Sequence, residues 1–412
     1  MKVTEIEVHD ITAEYCDWIA YQLNHYYGPM GRTIYVVHTD DGLVGLGESM
    51  SHDPQETIDQ YMGTNPFEWV GDETSIGLGM AMYDLMGKAA GVPVYKLFGQ
   101  RHRSWVPVGS WTVSTHPSRM AEAVQRYSEQ GYNWMKFHLS PFENVIEQTE
   151  AMQEVAPRNF KIHYDFTMHN TDDHMPDLLD RLSEYEIAGC YEDPLPGEDI
   201  DGYIELRQRS RLPIVLHHFP TSATYEIFRR QADAYMLGHP KIGYALRRGG
   251  LFAAGNCPFM IQSVGGNMTR AMTAHIMAAF PSAKFHFHSD TETWKSDVVK
   301  ERLEPIDGFV RVPEEPGLGV TLDRDELERL EQLELPKPGR WILKSRFDDG
   351  ARMYNIADPD ESLFLVRPSD RRLITMSYDS PITTEYWDDD GSPEYRAMFE
   401  RLEREGMVLE KS

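Results

Sequence analysis

The sequence predicts an α/β fold: a (β/α)8 barrel preceded by an α+β capping unit and followed by a β-rich C-terminal extension. Three observations carry this. Three runs within the first 50 residues alternate apolar with polar side chains, as strands do. From Trp105 onward, eight short apolar runs begin 21 to 29 residues apart, each followed by an amphipathic stretch. After about residue 335 that rhythm stops and strand-like runs return. A strand, a helix and two short loops fill one such interval, and eight in succession are the sequence form of a closed parallel barrel.

Residues 2–9, 32–38 and 43–47 read as strands of a small sheet, with Asp41-Gly42 as a hairpin turn. Residues 54–98 turn helical, and AMYDLMGKAAG ends at Gly91 with Pro93 beyond it, a helix stop. The barrel runs begin near Trp105, Trp134, Phe160, Gly189, Pro213, Ala234, Pro258 and Lys284. A Pro/Gly turn and a short amphipathic helix follow in RVPEEPGLGVTLDRDELERLEQLE. In the tail WILKSRF, ARMYNI, LFLVRP and LITMSY read as strands and SPEYRAMFERLEREG as a helix. The expected regions are a cap (1–104), a barrel (105–310), a return segment (311–334) and an extension (335–412) expected to serve packing or oligomer contacts.

The chain has 412 residues and a net charge of −26, with acidic residues spread along its length, so nucleic acid is not an expected partner. Its start lacks an apolar signal region and no uninterrupted apolar stretch of about 18 residues occurs, which points to a cytoplasmic protein without a membrane partner. The three cysteines, Cys16, Cys190 and Cys257, form no close pair and read as reduced thiols.

Five segments in order resemble the enolase superfamily, in its mandelate racemase and muconate-lactonising branch: TDDGLVGLGES (39–49), YDLMGKAAGVPVYKLFGQ (83–100), MKFH (135–138), YEDPLP (191–196) and PGLGV (316–320). The resemblance implies a TIM-type barrel with a cap closing over the C-terminal ends of its strands, where residues of this fold do chemistry. It also implies abstraction of a proton α to a carboxylate and an Mg²⁺ ion held by three acids from successive strands. Two of those positions match, Asp165 and Glu192. The third falls on His218, which makes Mn²⁺, Zn²⁺ or another transition metal an alternative. His217, one residue earlier, is expected on the opposite side of its strand.

Where relatives carry Lys-x-Lys, this chain has Lys136 and His138. Side chains two apart on a strand share a face, so Lys136 would steady the substrate carboxylate and His138 would be the base. The Asp–His dyad that relatives place on the sixth and seventh strands is missing: Gly238 stands at the Asp position, and PFMIQSVGGNM has no histidine. His239, His286 and His288 are the candidates for protonating a leaving group. The 14–30 loop, with Trp18, Tyr21, His25, Tyr26 and Tyr27, is expected to contact substrate, as is His288; Asn24 and Arg32 are further candidates.

Losing the second base disfavours a two-base racemase, because 1,1-proton transfer needs a group on each face of the planar intermediate. The expected activity is therefore dehydration of a small hydroxy-carboxylate of the acid-sugar kind. Isomerisation (a racemase, epimerase or cycloisomerase) by the same enolate is the alternative, and a silent barrel acting as a binding or scaffold module is the third reading. A homo-oligomer is expected, since relatives commonly assemble in even numbers.

Overall fold

The computed structural model describes residues 1–167, 174–218, 222, 224–358 and 377–411. Its centre is a run of seven parallel strands in sequence order: Ser110–Val113, Trp134–His138, Lys161–Asp165, Ala188–Glu192, Ile214–Leu216, Ala234–Gly238 and Phe259–Gln262. The eighth position is filled without a regular strand. Single parallel bridges from Gln262 to His288 and from Val108 to Phe287 close the ring between the seventh strand and the first. The apolar run near Trp105 lies outside this ring, because Trp105–Pro107 pairs antiparallel with Phe309–Arg311.

Alternation along these short strands sets what faces the barrel axis. Cys190, Val215, Ala234, Met236 and Met260 form one buried interior cluster, with Trp134 and Phe285 packed against it. Their neighbours in the chain, such as Tyr164, Tyr191, Ile214, Leu216 and Leu237, point outward to the surrounding helices and join the main core. The inward series therefore continues to Lys136 and His138, His163 and Asp165, Glu192, His217, Gly238 and Gln262 at the strand ends. Helices follow six of the seven strands; after the fifth a π-helical turn, Thr224–Arg229, takes the helix position.

The N-terminal sheet joins Val3–Ala13, Met30–Thr39 and Val44–Ser49 in antiparallel order, longer than the sequence pattern predicts. The stretch expected as a loop between the first two strands is a helix, Asp17–Tyr27. Its buried residues Ile19, Leu23 and Tyr26 recur at helical spacing, a 3.6-residue period that the surrounding aromatics disguise. Ile76–Ala90 packs on this sheet and ends at Gly91 in the left-handed region, as the sequence predicts.

The C-terminal extension folds as a four-stranded antiparallel sheet in the order Ile382–Trp387, Trp341–Phe347, Arg352–Ala357 and Met407–Glu410, with the helix Pro393–Glu405 against it. The expected strand LFLVRP and most of LITMSY lie outside the described residues. The extension packs within its own chain. Trp341, Leu343, Met353 and Ile382 share one buried cluster with Ile19, Leu23 and Tyr26 of the first helix and with Phe142 beyond the second barrel strand. Among the described residues, no helix is long and apolar enough to cross a membrane.

Candidate active site at the barrel mouth

The strand ends bring Lys136, His138, Asp165 and Glu192 together. The Lys136 ammonium is fully buried and lies 2.9 Å from Asp165 Oδ2, 2.7 Å from Glu192 Oε2 and 2.8 Å from Glu192 Oε1. It also donates to Gln262 Oε1 at 2.5 Å, so the glutamine standing on the seventh strand serves the same cation. Burial disfavours each charge taken alone, but the group is mutually compensated. The nearby Lys136 and His138 bring Asp165 down to about 2 despite burial and the adjacent Glu192 charge. Glu192 is likewise held well below the ordinary carboxylate range, chiefly by Lys136, and Lys136 is raised by the two carboxylates.

His138 sits above this group with only a small part of its surface exposed. Its Nε2 lies 3.0 Å from Asp165 Oδ2 and its Nδ1 lies 2.7 Å from the Tyr27 hydroxyl. If Nε2–H donates to the ionised Asp165, Nδ1 is left as the basic nitrogen, facing a phenol whose burial raises its pKa and keeps it neutral. Tyr27 thus comes from the last turn of the first helix, and the sequence reading had it only as one aromatic among several.

The fifth strand corrects an expectation. His217, not His218, turns inward: its Nδ1 lies 3.0 Å from Glu192 Oε1, while the His218 side chain is half exposed and pairs with Asp193 Oδ2 at 2.8 Å. The cause is the period of two, since Val215 faces the interior and His217 must follow it. This also explains Gly238. A Cβ there would lie 2.0 Å from His217 Nε2, so the imidazole occupies the space that a side chain on the sixth strand would need.

The other expected residues scatter. Tyr21 and His25 turn away from the mouth: the Tyr21 hydroxyl donates to Asp388 Oδ2 at 2.8 Å and His25 Nε2 lies 2.8 Å from Asp388 Oδ1, so both serve the contact with the C-terminal extension. Trp18 packs edge-on against Tyr127 at 5.5 Å and lines a cavity of about 640 Å³ with Arg126, Arg270 and Asp297. His239 adopts φ 43° and shares a small cavity with Arg32 and Glu48; burial and the neighbouring His217 lower it to about 4, so at neutral pH it has no extra proton to give a leaving group. His286 and His288 lie inside the barrel beside His163, fully buried, and not at the rim.

Arg32, one of the further candidates, and Asp290, which the sequence reading missed, belong to the same surroundings. Arg32 is buried against Glu48, with Nη1 lacking a hydrogen-bond partner. Asp290, past the eighth position, has φ 60° and is pushed up to about 8 by burial and the Glu292 charge, while Lys136 and Arg32 act in the opposite direction. A buried carboxyl beyond an irregular strand gives no periodic signal in a sequence.

The profile of the enolase C-terminal domain-like family matches residues 119–326, and the chain belongs to that family. It is 24% identical over 338 residues, 71% of this chain and 89% of the relative, to an arabinonate dehydratase of Saccharolobus solfataricus. Among solved structures, the N-succinyl Arg/Lys racemase of Bacillus cereus shares the fold at a TM-score of 0.66 and 21% identity, covering 81% of this chain and 99% of its own. An enolase from Pseudomonas fluorescens, solved with bound magnesium, potassium and tartrate, does so at 0.69 and 20%, covering 80% and 92%. The barrel and superfamily expected from the five motifs are thereby borne out.

The residues as arranged do not fit a magnesium ion between Asp165 and Glu192. The Lys136 ammonium already fills the gap where a cation bridging the two carboxylates would sit, and the fifth strand contributes an imidazole where Mg²⁺ requires oxygen. The described residues do bring together two groups with metal-ligand chemistry, Asp193/His217/His218 and His163/His286/His288, both rich in imidazole.

Proposed function

We propose that this chain is a lyase that dehydrates a small hydroxy-carboxylate of the acid-sugar class, with His138 as its one base. The observation that supports this most is the Tyr27–His138–Asp165 series, in which a buried carboxylate fixes one imidazole nitrogen and leaves the other basic at the barrel mouth. Substrate displaces the Tyr27 hydroxyl from Nδ1, His138 takes the α-proton, and Asp165 stabilises the imidazolium formed. The carbon–oxygen bond at the β position then breaks, and the proton returns from His138 to the departing hydroxide, which leaves as water. The resulting enol ketonises to a 2-oxo-3-deoxy acid. One group on one face suffices for such a syn elimination, in keeping with Gly238 and Gln262 where a second dyad would stand. Lys136 beneath the site offsets one of the two carboxylate charges there and so lessens the repulsion met by the negative charge developing on the substrate. The sugar-acid dehydratase among the relatives supports this substrate class.

The test is a panel of aldonates and aldarates assayed for 2-oxo acid formation. Turnover of at least one member is expected, falling by about 10²-fold or more in His138→Ala and retained, with an altered pH profile, in Tyr27→Phe. No turnover across the panel, or an unimpaired His138→Ala, sinks the lyase reading. Solvent deuterium entering the α-carbon without loss of water points instead to an isomerase. A second reading, a barrel that binds carboxylates without turning them over, is favoured by the closed Lys136–Asp165–Glu192 group; saturable binding without product or exchange would establish it.

A further inference from the structure

Below the mouth, three imidazoles converge where the proposed chemistry uses none of them. His163 comes from the third strand, and His286 and His288 come from the irregular eighth position; one ring nitrogen of each lies within 4.8 Å of the others. All three residues are buried, the most exposed being His286 at 2%. His163 Nδ1 and His286 Nε2 are 3.0 Å apart. Both ring nitrogens of His288 are buried without a hydrogen-bond partner. An unsatisfied imidazole in the interior is costly, because it has given up hydration and received nothing in exchange.

We infer that His163, His286 and His288 form a buried binding site for a late first-row divalent ion, with Zn²⁺ as the reference ion. Imidazole is the ligand such ions prefer, and three histidines are a complete protein set for Zn²⁺. Two nitrogens each about 2.05 Å from one tetrahedral ion are ~3.3 Å apart, close to the His163–His286 separation. The other nitrogen of His163, Nε2, lies 2.7 Å from Glu192 Oε2. A carboxylate behind a ligating histidine fixes its tautomer and strengthens it as a donor, a usual partner of metal-bound imidazole. Asp165 and Glu192 together outweigh Lys136 by one negative charge, so the neighbouring field is net attractive to a cation.

The surroundings keep the site open and its ligands ready. Gly109 on the approach to the first strand faces the cluster, and a Cβ there would lie 2.6 Å from His288 Cε1 and 2.8 Å from His286 Cδ2. Trp134 stacks on the His286 ring at 4.2 Å and 19°, which fixes its plane. Burial lowers the pKa of all three histidines, so the neutral, ligating form prevails at physiological pH. Three imidazoles leave the fourth position of a tetrahedral ion to water, and an ion held there would pin the irregular eighth position to the third strand. This site is distinct from the Asp193/His217/His218 group at the rim, whose His218 is half exposed.

The experiment uses the full chain, freed of metal with a chelator and returned to Zn²⁺ or Co²⁺ in equilibrium dialysis with elemental analysis. The expected result is one tightly held Zn²⁺ per chain, retained by His218→Ala and lost by His288→Ala and His286→Phe. Zinc-edge X-ray absorption on the unmutated protein should show three imidazoles, which keeps the proposal testable if the variants fail to fold. Failure of the unmutated chain to hold an equivalent overturns it. So does loss of the ion in His218→Ala, or an absorption spectrum with fewer than three imidazoles.

Discussion

Two carboxylate pairs in this protein meet their counter-charges differently. At the barrel mouth Asp165 and Glu192 share one ammonium, Lys136, placed between them. At the seam between cap and barrel, Glu48 and Asp297 converge on the start of the helix Asn267–Ala279. Glu48 accepts from the backbone of Gly266 at 2.8 Å and from the Thr269 hydroxyl at 2.7 Å, while Asp297 accepts from the Asn267 backbone at 2.6 Å. Arg32 pairs with Glu48, at 3.2 Å. The mouth carboxylates are both held low, Asp165 at about 2, whereas Asp297 is pushed up to about 6 by burial and the Glu48 charge. A cation between two acids ionises both. A cation beside one, with helix N–H groups for the rest, leaves the other prone to keep its proton.

Removing the shared cation should make the mouth resemble the seam, and this is the largest effect expected. Lys136→Met leaves two buried carboxylates facing each other, and breaking a buried ion group in this way costs about 3–5 kcal/mol. In urea denaturation the variant should lose that much at pH 7 and recover part of it at pH 5, where one carboxyl of the pair can take up a proton. A loss independent of pH would mean that Lys136 matters for packing and not for charge.

How far this was legible beforehand differs between the two places. Lys136, His138, Asp165 and Glu192 stand on regular strands within ordered motifs, so the family resemblance located them and strand alternation put Lys136 and His138 on one face. The error at His217 and His218 came from the fifth strand, which is only three residues long, Ile214–Leu216, and gives the alternation too little length to fix its phase. The particular role of Tyr27 is not legible because a loop reading sets no helical phase for its segment, and those of Tyr21 and His25 are not because their partner Asp388 lies 367 and 363 residues away. The histidine triad depends on an eighth position held by single bridges, for which there is no pattern to read. The seam is likewise a meeting of residues more than 200 positions apart, such as Glu48 and Gly266.

His217 gives the next sharpening of the comparison, because its ring is a further partner of the mouth pair, 3.0 Å from Glu192 Oε1. Gly238→Ala would place a methyl 2.0 Å from His217 Nε2 and force the ring off Glu192 Oε1. Overpacking of this kind costs about 1–3 kcal/mol. The paired variant Gly238→Ala/His217→Ala should regain most of that loss, since the clash disappears with the ring. Additive losses in this double-mutant cycle would show that the glycine is needed for its backbone and not for the room it leaves.

The smallest effect is expected at the seam and depends on pH. Asp297 rises from an ordinary 3.8 to about 6 on folding, so between those values the folded chain binds a proton that the unfolded chain has released. Its contribution is therefore fully present below 3.8 and is lost as the pH rises to about 6; the sign is opposite to that of Asp165, whose contribution is lost only as the pH falls toward about 2. One proton sets a ceiling of about 1.4 kcal/mol per pH unit, and Asp297, being only partly buried, should fall below it. Asp297→Asn keeps a carbonyl oxygen for the Asn267 backbone and removes the titration. The difference in unfolding free energy between the parent and this variant should therefore change between pH 4 and 6 and flatten above. If the two curves run parallel, Glu48 does not burden Asp297, and Arg32 compensates the seam as completely as Lys136 does the mouth.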